Sequence, residues 1–340
     1  MIGGDVSEII KRATEPVAVD ARTVEKVAAL DRASDEHAAS MRPANTTRSY
    51  ADDWKVWERF TGEAGLPPAA VSRGMLRAFV IWLWDSGAAP STIDRRITGV
   101  TVTLRREHHI EVSREDTSAA RELLKDHVRA AAAAKAPTRG RGHAAAMTLS
   151  DLRAMCIACP EGVAGVRDRA LILLAFAVAG RRSEVAGLTV ADVADDPNGL
   201  LVNIRSSKTT PRTVAVPYGS NPLTCPVRAW RAWKDAVQLD DPTGPAFRRV
   251  DRHGRILGGM SGEAVGDVIG RAGERAGVEA HLTGHSARSG LATEARRAGK
   301  DRKAIAAVTG HVPGSASLDR YIRTVDQWDA DDNALIGIGL

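Results

Sequence analysis

The run ALILLAFAVAG, residues 170–180, holds no charged side chain in eleven positions. A helix that is apolar on every side must be surrounded, by protein or by lipid. A membrane span needs about 20 such residues, so this run is about half the required length. It predicts a core helix over 166–178 at the centre of a domain. The run leads into AGRRSEV, which delivers Arg181 and Arg182 to the end of that buried helix. A guanidinium there is costly unless it is paired or holds an anion. Glu184, three residues after Arg181, is a candidate partner.

Upstream the pattern differs. Residues 1–20 carry no sustained periodicity and read as a tail. A short helix is expected over 21–39. A clearer one opens at Thr46 or Thr47, residue types suited to an N-cap, with Tyr50, Trp54 and Trp57 as its apolar face. The next, 71–85, turns Met75, Leu76, Phe79, Val80 and Leu83 inward. Ser91 reads as the cap of a helix that buries Ile93, Ile97, Val100 and Leu104, leaving Arg95 and Arg96 elsewhere on its surface. A further helix covers 115–134. Residues 21–134 therefore predict a helical bundle with a basic surface.

The stretch AAKAPTRGRGHAAAM (133–147) is small, basic and broken by proline and glycine, the composition of a linker. Thr148 with Asp151 then forms a capping-box pattern that opens a second domain, 148–340. LLVNIR (200–205) and RTVAVPY (212–218) alternate in polarity around SSKTTP, which predicts a β-hairpin with Lys208 at its tip. AFRRV and RILGG, with DRHG between them, suggest a second strand pair. The remainder is helical in pattern, so the fold class is mainly α in two domains, the second with a small antiparallel sheet.

The chain of 340 residues carries a net charge of +5, weighted toward arginine. That balance favours a polyanionic partner, and arginine matches phosphate with a two-pronged fork. The N-terminus MIGGDVSEIIKR lacks the apolar core of a signal peptide, so a cytoplasmic protein with no membrane partner is expected. Cys156 and Cys159 form a lone CxxC and read as buried thiols, not a zinc site. The acidic runs read as solvated. No G-x-x-x-x-G-K-[ST] loop is present, so ATP is not expected, nor any cofactor or metal.

Chemistry concentrates in the second domain. LTGHSARSGL places His285 and Arg288 three apart, a spacing that puts both on one helical face. TGHVPGSASLDRYIR adds His311 and Tyr321. Arginine forks stabilise the charge that gathers on a phosphodiester under attack. A tyrosine, with a reference pKa of about 10, becomes a nucleophile beside cations or a base. Histidine moves protons near neutral pH. A covalent phosphotyrosine keeps the energy of the broken bond, so rejoining needs no ATP. Of the three tyrosines, Tyr50 belongs to an apolar stripe and Tyr218 ends a strand, which leaves Tyr321.

The ordered set Arg181, Lys208, His285-x-x-Arg288, His311 and Tyr321 resembles the tyrosine site-specific recombinases. GHSARSG, YIR and the SKTT hairpin are most similar to the Cre branch of that family. The resemblance implies a SAM-like helical core-binding domain and a catalytic domain, closed as a C-shaped clamp on duplex DNA. It implies that Arg181 and Arg288 bind the scissile phosphate and that His311 hydrogen-bonds it. Tyr321 would attack, leaving a 3′-phosphotyrosine and a 5′-hydroxyl. Lys208 would protonate the departing oxygen, His285 would assist proton transfer, and Glu184 would support the site. Tyr321 follows His311 by ten positions, one more than is usual in the family, and Pro313-Gly314 is the expected turn that absorbs it. Ser289 stands where the family often has histidine or lysine.

On the DNA side, Arg48 and the Ser91–Arg96 segment, with Ser91, Arg95 and Arg96, are candidate contacts in the first domain. Ser261 and Glu263 open a helix in the second, and glutamate can accept from a cytosine amine. The apolar end ALIGIGL suggests a last helix that docks on a neighbouring subunit. The resemblance thus implies a homotetramer on two duplexes that recombines a specific site, expected as an inverted repeat, through a Holliday junction. Bacterial or phage origin and association with the nucleoid are further implications of it. A non-catalytic DNA-binding protein that kept the clamp is the alternative, and a topoisomerase of related chemistry is a third.

Overall fold

The computed structural model describes residues 20–41, 44–137, 139–140, 144–205, 211–312 and 314–327. The expected tail up to residue 19, Lys208, Pro313 and the C-terminal helix beyond 327 lie outside the described residues. The fold is mostly helical with two small antiparallel sheets. The chain divides into two compact units, Met1–Gly142 and His143–Leu340.

The first unit contains α1 (Ala21–Ser40), α2 (Ala44–Glu63), α3 (Arg73–Asp85), α4 (Pro90–Glu107) and α5 (Arg114–Ala133). Its core joins Trp57, Phe60, Leu76, Phe79, Ile97 and Leu104. Trp57 is fully buried, and its indole N–H donates to the Pro68 carbonyl at 2.8 Å. Three expectations shift here. Helix α2 starts at Ala44, before either threonine. Tyr50 and Trp54 are only half-buried, with Trp54 stacked on His108. Helix α4 begins at Pro90, capped by Ala89, so Ser91 lies inside it and caps nothing. Proline at the first helical position is pre-set for that role and lacks only an N–H that would have no helical partner.

The second unit contains α6 (Leu149–Ile157), α7 (Val163–Ala177), α8 (Arg182–Ala186), β1 (Val193–Asp196), β2 (Gly199–Ile204), β3 (Arg212–Pro217), α9 (Pro226–Val237), β4 (Arg248–Val250), β5 (Ile256–Gly259), α10 (Gly262–Arg275), α11 (Ser286–Arg297), α12 (Arg302–Thr309) and α13 (Ala316–Asp326). Thr148 and Asp151 exchange side-chain and backbone bonds in a capping box that starts α6. Helix α7, the apolar run, is buried along nearly its whole length. It packs against α9, where Trp230 and Trp233 are fully buried.

The three-stranded sheet has the order β1-β2-β3, with Val202 opposite both Val193 and Val214. Residues 194–196, expected as a solvated acidic run, lie on an edge strand with Ala194 and Asp195 exposed and Ala194 opposite Leu201. Exposed acidic side chains on an edge deter pairing with other chains, so the composition of a loop also suits this strand. Strands β4 and β5 form the second hairpin, closed by a turn in which Asp251 accepts from the backbone N–H of His253 and Arg255.

Candidate active site

Helix α7 ends in a Schellman turn. The Ala179 N–H donates to the Phe176 carbonyl and the Gly180 N–H to the Ala175 carbonyl. The position that such turns usually give to glycine is Ala179, at φ 47°. This left-handed turn aims the Ala179 carbonyl at the fully buried Arg288, which donates to it at 2.9 Å. It also places Arg181 directly after the turn, as the N-cap of α8.

Arg181 and Glu184 are bonded twice. The Arg181 backbone N–H donates to the buried Glu184 carboxylate at 3.1 Å, and its guanidinium pairs with the other carboxylate oxygen. A second guanidinium, from Arg212 at the start of β3, reaches the same carboxylate at 3.0 Å. Burial pushes the Glu184 pKa up, but the hydrogen bonds from Arg212 and from Arg181 outweigh it and hold the value down at about 2. Glu184 is thus a fixed anion that orients two cations.

His285 and Arg288, three apart, both turn toward the pocket of His311 and Tyr321. His285 is the N-cap of α11 and is exposed, whereas Arg288 is inside the helix and buried. They serve one site from two depths. The segment before α6 crosses α11 so closely that a side chain on Gly290 would lie 2.2 Å from the Met147 carbonyl oxygen. That approach seats α11 against the start of the unit.

Arg288 Nη2 lies 3.2 Å from His311 Nε2. A guanidinium can only donate, so Nε2 is the acceptor and the ring proton sits on Nδ1. That proton points at Thr309 Oγ1, 2.8 Å away, and the Thr309 hydroxyl donates to the Ile305 carbonyl at 2.8 Å. Burial, then the Arg288 and Arg181 charges, lower the His311 pKa to about 4, which keeps the ring neutral. Burial, with Arg181 next, also lowers the Arg288 pKa to about 10.

Helix α13 docks by Leu318 and Ile322, both fully buried, against Ala292, Ile305 and Ala306. The Thr293 hydroxyl pins it by donating to the Tyr321 carbonyl at 2.9 Å. The Tyr321 phenol then meets His285 Nε2 in a hydrogen bond. The rings of His285 and His311 each sit 5.6 Å from the Tyr321 ring. Six of the seven catalytic candidates therefore converge: Arg181, Glu184, His285, Arg288, His311 and Tyr321. The seventh, Lys208, belongs to the segment between β2 and β3 that lies outside the described residues. Arg212 is the member that the motifs missed, because the arginine of RTVAVP reads as an ordinary strand start.

This pocket joins a phenol, two imidazoles and the guanidiniums of Arg181 and Arg288, a set able to attack and stabilise a phosphodiester, with the guanidinium of Arg212 bonded to Glu184 beside them. Residues 146–327 match the model of the phage integrase family. The chain belongs to that family. As a tyrosine recombinase it is an enzyme of DNA cleavage and religation. It is 30% identical over 301 residues to an integrase/recombinase XerD homolog of Selenomonas ruminantium, covering 86% of this chain and 84% of that one. It is 27% identical over 183 residues to the tyrosine recombinase XerD of Corynebacterium glutamicum, covering 52% of this chain and 56% of the relative. Its fold is similar to that of a lambda integrase dimer bound to a COC′ core site, with TM-score 0.56 and 15% identity, covering 86% of this chain and 93% of that one. A lambda integrase tetramer bound to a Holliday junction gives TM-score 0.54 at 17% identity, covering 86% of this chain and 75% of that one. These relatives are XerD-like and lambda-type, in place of the Cre branch that the short motifs resembled.

The DNA-contact candidates stand in varied surroundings. Arg48 and Ser91 are exposed. Arg95 pairs with the buried Asp53, and Arg96 lies 3.8 Å from the same carboxylate. Ser261 caps α10 by accepting the Ala264 N–H at 3.1 Å, and Glu263 is exposed in its first turn. The start of α10 borders the pocket, since a side chain on Gly262 would lie 3.4 Å from the Ser183 backbone. Just before it, the β4–β5 hairpin exposes Arg249, Arg252 and Arg255. Among the described residues no cluster of three metal-ligating side chains occurs, and no helix is long and apolar enough to cross a membrane.

Proposed function

We propose that this protein is a site-specific DNA recombinase that works through a 3′-phosphotyrosine intermediate. The observation that carries the reading is the Tyr321 phenol hydrogen-bonded to His285 beside the buried Arg288 and its half-buried partner His311. The Tyr321 oxygen attacks the scissile phosphorus as His285 accepts the phenolic proton. The bond to the 5′-oxygen breaks, and Lys208 donates the proton that makes it a hydroxyl. Arg181 and Arg288 hold the non-bridging oxygens, with Glu184 fixing Arg181. When phosphate takes the Nη2 donor of Arg288, His311 can shift its proton to Nε2 and donate to the same phosphate. The Thr309 hydroxyl permits this, because it can donate to Nδ1 as readily as accept from it. Reversal by the 5′-hydroxyl of another duplex rejoins the strand and frees Tyr321.

The remaining parts of the proposal concern DNA and assembly. The first unit acts as the core-binding domain and the second as the catalytic domain, with the duplex clamped between them. Arg48, Ser91, Arg95, Arg96, Ser261 and Glu263 contact DNA, and Arg249, Arg252 and Arg255 add phosphate contacts. The Asp53 carboxylate holds Arg95 and Arg96 ready for that role. Four protomers act on two duplexes through a Holliday junction at an inverted-repeat site, on nucleoid DNA in the cytoplasm. The lambda integrase tetramer supports the assembly by analogy of fold.

The test is a library of nicked duplexes with randomised arms, incubated in EDTA and resolved on denaturing gels. A covalent protein–DNA adduct with wild type, absent with Tyr321→Phe, is expected. Retention of specific library DNA with no adduct would instead identify a non-catalytic binder.

A further inference from the structure

Arg212 ties together three of the segments that surround the pocket. Its side chain is 8% exposed. Nε donates to the Val308 carbonyl at 2.9 Å, and Nη2 donates to the Val178 carbonyl at 3.2 Å and to Glu184 Oε2 at 3.0 Å. Each acceptor leads to a different phosphate-binding group. Val178 precedes Ala179, whose carbonyl holds Arg288. Glu184 holds Arg181. Val308 lies three residues before His311, at the end of α12. The turn between them is Gly310, at φ +66°, where an added side chain would lie 3.2 Å from the Arg212 Cδ and Nη1.

The remaining donor nitrogen, Arg212 Nη1, is buried without a hydrogen-bond partner among the described residues. A buried guanidinium that lacks one of its bonds is a poor device for stability alone, since an apolar side chain of similar volume would fill the space at lower cost. What it does well is geometric. A planar fork spans three acceptors on three elements at fixed angles, which a lysine's single nitrogen cannot do.

We infer that Arg212 is a positioning residue. It sets the mutual spacing of Arg181, Arg288 and His311, so that the three converge on one phosphate without contact between Arg212 and the reacting atoms. The inference rests on the proposed reading of the pocket as the phosphotyrosine site. Displacing such groups by about 1 Å is enough to slow a reaction about 100-fold.

The test uses the full chain and a nicked duplex recovered from the library above, in two forms. One carries the ordinary bridging 5′-oxygen at the cleavage position. The other carries sulfur there, which departs as a thiolate and needs no proton. Adduct formation is timed for wild type, Arg212→Gln, Arg212→Lys and, as comparator, Lys208→Ala. The Gln variant is expected to be about 100-fold slower on both substrates, because phosphate binding is misaligned in each. The Lys variant falls between it and wild type, while Lys208→Ala is slow on oxygen and restored on sulfur. Rates are taken per folded molecule, from the thermal transition of the same sample, and the Lys variant keeps the test open if the Gln variant does not fold.

Two results overturn the inference alone: Arg212 variants that match wild type per folded molecule, or a sulfur substrate that restores them as it restores Lys208→Ala. The second would mean that Arg212 acts through the hairpin lysine. A wild type with no adduct on either substrate overturns the reading of the pocket, and this inference with it.

Discussion

Glu184→Gln is the sharpest single perturbation, because one buried carboxylate orients two guanidiniums. Its pKa of about 2, against an ordinary 4.5, corresponds to about 3 kcal/mol of stability at neutral pH. The folded carboxyl holds its proton more weakly than the unfolded one. That stability is therefore complete above about pH 4.5 and drains away as pH falls toward about 2. At about pH 3 roughly 2 of the 3 kcal/mol are gone. The amide removes the charge and leaves Arg181 and Arg212 facing a neutral group. Breaking one side of a buried pair costs about 3–5 kcal/mol. Urea unfolding followed by tryptophan fluorescence measures both effects. The first unit is unchanged by the substitution and cancels from the comparison. At about pH 7 the variant should be less stable by about 3–5 kcal/mol, and toward pH 3 the gap should close by about 2 kcal/mol. If wild type and variant lose stability in parallel over that range, Glu184 is not the depressed carboxylate described here and does not fix the two arginines.

Other outcomes rest on single features. The His311 imidazole, held neutral with a pKa of about 4, should show no titration by NMR between about pH 8 and pH 6; its contribution to stability is present above the ordinary value of 6.5 and is lost as pH falls through about 4, and a midpoint near 6.5 would contradict the contact of His311 with the buried Arg288. Ala179→Gly relieves about 1–2 kcal/mol of left-handed strain and gives back about 0.5–1 to chain entropy, so the net expectation is a gain of about 0.5–1 kcal/mol and a higher melting temperature; a lower one would show that the alanine methyl matters more than the turn. Replacing Arg249, Arg252 and Arg255 together by Gln should leave the melting temperature unchanged and flatten the dependence of log affinity on log salt by about 2–3, at about 0.9 per phosphate contact; an unchanged slope would remove the hairpin from the DNA interface.

Much of the second unit was legible because local rules and tertiary packing agree. Thr148 and Asp151 cap α6 as their spacing predicts, and the alternating segments pair as β2 and β3. In the first unit the periodic positions Leu76, Phe79, Val80 and Leu83 are buried, and Met75, expected with them, is half-buried. Local rules misplaced Ser91 as a cap, because serine and proline compete for the same turn and proline took the first helical position. The three-residue spacing of His285 and Arg288 did not say which of them lies exposed at the helix boundary and which is buried.

By itself the sequence determined the residue types of the pocket and their order along the chain, since a tyrosine, two histidines and a set of arginines are a chemical inventory that survives without coordinates. It also determined which helices are buried, because periodicity reports a solvent boundary directly. Only the tertiary structure decided which side chains are partners. Arg212 joins Glu184 across 28 positions, and the Arg288 guanidinium reaches the Ala179 carbonyl across 109. Contacts at such separations depend on how α7, β3, α11 and α12 pack, and no local pattern along the chain encodes that geometry.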